Sequence, residues 1–125
     1  MPKQIWIIDD NADSRALARV ILGSCTDYVL VDVPSGDAAI ALLDHACPDL
    51  LLLDIAMPGL NGWDVLAAVR ARADVCKVPI IAYTSFAAAA ERKEFVNRGF
   101  DGCICKPILD EEELLTPVAR LLAVA

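Results

Sequence analysis

Positive charge is scarce in this chain. Its 125 residues hold 11 Lys and Arg against 18 Asp and Glu, a formal net charge of -7, which argues against nonspecific binding to nucleic acid. Long apolar runs are missing too: none approaches the roughly 20 residues of a membrane span. In MPKQIWIIDD the acids arrive too early for a signal-peptide hydrophobic region. Zinc spacing is absent among the five cysteines, and their odd number suits a reducing cytoplasm. A hydroxyl- and glycine-rich loop is also lacking after the first apolar run. Two aspartates stand there instead and would repel a flavin phosphate.

What the chain has in quantity is hydrophobicity, 57% of residues with a mean hydropathy of +0.50. With no membrane span to absorb it, that surplus points to a sheet covered on both faces. One domain over residues 1–125 is long enough to bury such a core. Short apolar runs recur at Gln4–Ile8, Tyr28–Val33, Asp49–Leu53, Val78–Thr84 and Gly102–Cys105, as expected of strands buried on both sides.

Helical patterns lie between these runs. Asn11–Leu22 ends at Gly23, Ser35 caps a helix that must stop before Pro48, and Gly62–Arg72 and Ala88–Arg98 follow. The last helix begins near Asp110, with Glu111–Glu113 placed well against its dipole. Pro117 should kink or break it near Thr116, because an interior proline removes a backbone bond at about 3 kcal/mol. This is β-α repeated five times with short connections, hence right-handed parallel crossovers and a doubly wound α/β sheet.

In such a sheet the chemistry gathers beyond the carboxyl ends of the strands. Asp9 and Asp10 follow the first strand, Asp54 the third, Thr84 and Ser85 the fourth, Lys106 and Pro107 the fifth. Three carboxylates at one edge become tolerable when ionised only with a compensating cation, and oxygen ligands suit Mg²⁺. Asp54 then reads as a carboxylate nucleophile that takes up a phosphoryl group, with the metal, Lys106 and a hydroxyl stabilising charge. Singly, each residue has a plainer explanation: Asp9 as a helix cap, Thr84 as an ordinary strand residue, Lys106 as a surface lysine. Jointly those explanations fail. Trp6 and Trp63 read as packing, and His45, on the second helix, as a surface residue.

The pattern IIDD, LLLDIAMPGLNGWD, IIAYTS and CKP, in that order, resembles the receiver domain of two-component response regulators across essentially the whole chain. The resemblance implies a flavodoxin-like (βα)5 fold with strand order 2-1-3-4-5. It also implies a Mg²⁺ (or Mn²⁺) site at Asp9, Asp10, Asp54 and the carbonyl of Ala56. There Asp10 touches the metal directly and Asp9 acts through water. Asp54 is the phosphoacceptor, Lys106 pairs with the phosphoryl group across a cis bond to Pro107, and Thr84 is the hydroxyl that moves to meet it. The donor is a histidine kinase or phosphotransfer protein. A downstream effector docks on the face of the fourth helix, fifth strand and fifth helix, with no direct nucleic-acid contact and no membrane insertion. Such a domain catalyses only its own phosphorylation and dephosphorylation.

One departure concerns output. Where receivers often carry an aromatic residue three before the lysine, this chain has Cys103; Phe86 and Phe100 are the candidate substitutes. Cys103 and Cys105 are expected on opposite faces of the fifth strand, as small buried hydrophobes. Ala56 and Phe86 offer no acid or amide to position an attacking water, so slow loss of the phosphoryl group is expected. Two alternatives share most of these residues: a degenerate receiver serving as a phosphorylation-independent docking module, and an excised receiver of a hybrid kinase. A haloacid-dehalogenase-type phosphohydrolase would want an acid two residues after Asp54, where Ala56 stands.

Overall fold

The computed structural model describes residues 2–24, 27–72, 77–85 and 89–123. Five strands, β1 (Lys3–Ile8), β2 (Tyr28–Val33), β3 (Leu50–Leu53), β4 (Ile80–Thr84) and β5 (Gly102–Cys105), alternate with five helices. The helices are α1 (Ala12–Leu22), α2 (Gly36–Leu43), α3 (Gly62–Arg70), α4 (Ala89–Asn97) and α5 (Glu112–Ala123). All pairings are parallel and the order is β2-β1-β3-β4-β5. The chain reverses direction across the sheet between β1 and β3, which opens a crevice at their carboxyl ends.

Strand alternation divides the core in two. Trp6, Ile8, Leu51, Leu53, Ile80 and Ala82 face α2, α3 and α4, while Ile5, Ile7, Leu50, Leu52, Ile81 and Tyr83 face α1 and α5. The four leucines of β3 are wholly buried, each contributing about 1.5–3 kcal/mol relative to exposure. They anchor the strand that ends in Asp54.

Caps set the helix starts. Asn11 accepts from the Ser14 N–H, Ser35 from the Ala38 N–H, and Asn61 and Asp64 form a reciprocal capping box. Gly59, at φ 72°, turns the loop that follows Asp54. Gly62 opens α3 so close to β3 that an added Cβ would lie 2.6 Å from the Asp54 carbonyl oxygen and 2.7 Å from Ile55 Cα. Both neighbours are backbone and cannot yield cheaply. Gly62→Ala is therefore expected to destabilise the protein by about 2 kcal/mol or more. Urea unfolding checks this, and a change below about 0.5 kcal/mol would contradict the close approach.

Several expectations need correction. Helix α5 does not break at Thr116: it runs on through Pro117, and Thr116 Oγ1 donates to Glu112 Oε2 at 2.8 Å instead of capping a second segment. The proline ring suits helical φ, and Leu114, Val118 and Leu122, all buried, hold both halves of α5 on the core. Helix α2 stops at Leu43, so exposed His45 lies beyond it. Cys103 and Cys105 share a face, since residues two apart on a strand point the same way. Both are half-buried and line one cavity, whereas Ile104 between them turns into the α1–α5 core.

Phe100 is buried at the amino end of β5, edge-on to Trp63 at 5.4 Å and to Phe95 at 5.7 Å. It belongs to the α3–α4 packing, remote from Thr84 at the carboxyl end of β4. Phe86, the other candidate, lies outside the described residues. Trp6 is core and Trp63 half-buried packing, stacked on Phe95 at 5.3 Å under the Arg98 guanidinium.

Candidate functional site

The carboxyl ends of β1, β3, β4 and β5 bring the acids, the threonine and the lysine to one crevice. Asp9, Asp10 and Asp54 each offer an oxygen within 4.8 Å of the others. Asp9 is fully buried and Asp54 nearly so, while Asp10 stands exposed at the rim. Thr84 is fully buried at the end of β4.

Asp9 is not a helix cap; Asn11 performs that task. The Asn11 N–H donates to Asp9 Oδ1 at 2.9 Å, and Lys106 Nζ donates to Oδ2 at 2.8 Å. Lys106 also lies 3.5 Å from Asp54 Oδ2, and its bond to Pro107 is cis. Three acids and one ammonium group thus share one crevice, with Asp9 and Asp54 buried in it and Asp10 at its rim.

Electrostatics follow from that imbalance. Burial pushes the Asp54 carboxyl up from 3.8 to about 6; Lys106 pulls it down, Asp9 raises it, the Ala56 N–H bonded to it lowers it, and Asp10 raises it. A crevice in which one lysine faces three acids is short of positive charge. A divalent cation fits this oxygen set: Asp10, with the greatest freedom, and Asp54 would hold it, Asp9 being committed to Lys106 and Asn11. Ala56, exposed two residues past Asp54, already turns its N–H toward that carboxylate.

Two residues escaped the sequence reading. Tyr83, buried immediately before Thr84, places its ring 4.7 Å from Lys106 Nζ, a cation–π contact that steadies the ammonium. Burial, Asp9 and Asp54 push its hydroxyl up to about 12. Arg15, on α1, donates from Nη1 to the Asp9 carbonyl at 2.6 Å and lies 3.6 Å from Asp32. It tethers the loop that carries the acid pair. Its position one turn after the Asn11 cap was the available signal.

The response regulator receiver domain family matches residues 5–119, and the chain belongs to it. The transcriptional regulatory protein ResD of Bacillus subtilis is 35% identical over 118 residues, 94% of this chain and 48% of ResD. The polar-differentiation response regulator DivK of Brucella anthropi is 30% identical over 108 residues, 86% of this chain and 87% of DivK. Among solved structures, the receiver domain of a Pseudomonas aeruginosa sensor histidine kinase, with a magnesium ion in its active-site cleft, superposes with a TM-score of 0.86. It is 25% identical, covering 98% of this chain and 99% of that one. The chain therefore spans most of DivK but about half of ResD. Receiver domains are signalling modules of two-component systems, not conventional enzymes. Among the described residues no helix is long and apolar enough to cross a membrane.

Proposed function

We propose that residues 1–125 form a single receiver domain that accepts a phosphoryl group on Asp54 from a phosphohistidine of a histidine kinase or phosphotransfer protein. The observation that supports this most is the crevice itself. A nearly buried carboxylate stands 3.5 Å from one ammonium group and within reach of two further acids. A bound Mg²⁺, or Mn²⁺, would supply charge neutralisation for the incoming phosphoryl oxygens.

This chain's residues do the rest. Ionised Asp54 attacks the donor phosphorus; a P–O bond forms, the P–N bond breaks, and the electron pair leaves with the imidazole. Lys106, held between Asp9 and the Tyr83 ring, is within a short reach of an oxygen added at Asp54. Thr84 can present its hydroxyl to another. Asp10 and Asp54, with the Ala56 carbonyl, would hold that cation directly, and Asp9 would act on it through water. The phosphorylated domain then binds a downstream effector on its α4–β5–α5 face, in the cytoplasm.

Borohydride trapping tests the acceptor. Reduction of an acyl phosphate converts the aspartate to homoserine, and peptide mass mapping after acetyl phosphate treatment is expected to find that conversion at position 54. Conversion at position 9 or 10 would overturn the assignment.

A further inference from the structure

Asp10 is held differently from the other two acids. Its carboxylate stands exposed at the crevice rim, and among the described residues it makes no hydrogen bond or ion pair. Where it points is therefore left to the backbone. The Asn11 N–H on Asp9 Oδ1 closes a turn around Asp10, and the Asp9 N–H is tied to the Val33 carbonyl at 3.0 Å. The Asp9 carbonyl, in one planar peptide with the Asp10 nitrogen, accepts from Arg15 Nη1 at 2.6 Å.

Arg15 is itself braced from the far side. The β1–β2 register sets Asp32 beside Ile7, and Ile7 faces α1 and α5, so Asp32 turns toward the same helices. There Arg19 Nη1 donates to Asp32 Oδ1 at 2.8 Å, and Arg15 Nε lies 3.6 Å from Oδ2. That buried Nε has no hydrogen-bond partner, although a buried donor left unsatisfied is costly. The guanidinium is turned to serve the Asp9 carbonyl and the Asp32 carboxylate together, at the expense of a bond at Nε. A planar fork can span two acceptors in this way, whereas the single ammonium of a lysine cannot.

We propose that Arg15, braced by Asp32, is a positioning residue that raises the crevice's preference for Mg²⁺ over Ca²⁺. This rests on the crevice holding a divalent cation. Mg²⁺ demands near-octahedral oxygens at about 2.0–2.1 Å, whereas Ca²⁺ accepts a flexible array at about 2.3–2.6 Å. Freedom in the loop that carries Asp10 therefore costs the smaller ion more. Arg15 touches neither the ion nor the phosphoryl group; its contribution passes through the Asp9–Asp10 peptide.

The test is titration of the metal-free protein with Mg²⁺ and, separately, with Ca²⁺, followed by the NMR shift of the Asn11 amide. Both ions are divalent, so the ratio of their affinities cancels any change in net charge. Arg15→Met and Arg15→Lys are each expected to lower the Mg²⁺-to-Ca²⁺ affinity ratio about tenfold, the low end for a residue that orients a metal ligand. Asp32→Asn, which leaves the crevice residues in place, is expected to lower it by about threefold. A ratio within about twofold of wild type in the Arg15 variants, or in Asp32→Asn should those not fold, overturns the proposal. So does an equal rise in affinity for both ions, the mark of Arg15 acting only as a repelling charge. Wild type that binds neither ion overturns the cation site itself, and the proposal with it.

Discussion

Lys106→Met is expected to lower the stability of the metal-free protein at pH 7 by about 3 kcal/mol, the cost of leaving buried charge without its partner. Lys106 Nζ is 2.8 Å from Asp9 Oδ2 and 3.5 Å from Asp54 Oδ2. Asp9 is wholly buried and, among the described residues, would keep only the Asn11 N–H on its carboxylate. Methionine preserves the stem packed near Tyr83, so the loss reports charge and not volume. The deficit should shrink toward pH 4, where Asp54, whose carboxyl is raised to about 6, is protonated. Adding Asp54→Asn should recover part of it, a coupling expected of neighbours in one network. A deficit flat from pH 4 to pH 8 would show that Lys106 acts through packing alone.

The second large effect has the opposite sign. Asp54 titrates at about 6 in the folded protein against 3.8 ordinarily, so the folded state binds more protons than the unfolded state between those values. Stability is then fully present below pH 3.8, falls as pH rises, and has been lost by pH values above about 6. Two pH units correspond to about 3 kcal/mol. Asp54→Asn, which cannot ionise, should therefore be more stable than wild type by about 2–3 kcal/mol at pH 7 without metal, and nearly equal at pH 3.5. Urea unfolding across that range measures the gap. Added Mg²⁺ should narrow it by favouring the ionised wild-type carboxylate; a gap that Mg²⁺ leaves unchanged would separate Asp54 from the cation site.

These effects stem from a crevice whose main residues were legible in the sequence, because topology alone delivers strand ends to one edge. Asp9, Asp10, Asp54, Thr84 and Lys106 each follow or end an apolar run, and parallel strands carry all five to the same side of the sheet. Supporting contacts were less legible. Which face of α1 meets the β1 loop depends on how the helix rolls on the sheet, so Arg15 stayed hidden although its cap, Asn11, was in view. Tyr83 looked like one more apolar residue of IIAYT, and nothing local shows that Lys106 crosses above its ring.

The errors have physical causes as well. Pro117 costs a backbone bond, yet Leu114, Val118 and Leu122 bury on both sides of it and keep α5 whole. Helix α2 stops before Pro48 as expected, but already at Leu43, its last buried residue, which leaves His45 beyond the helix. The cysteines of β5 were placed on opposite faces, whereas the strand period sets them side by side along a cavity. Phe100 looked near the switch in sequence but lies at the other end of its strand, inside the Trp63–Phe95 cluster.

The central claim, a metal-dependent phosphoacceptor at Asp54, is tested most directly by intact mass after incubation with acetyl phosphate and Mg²⁺. Wild type should gain one phosphoryl group, and both Asp54→Asn and wild type with a chelator should gain none. An adduct that survives Asp54→Asn, or forms equally with the chelator present, would contradict it.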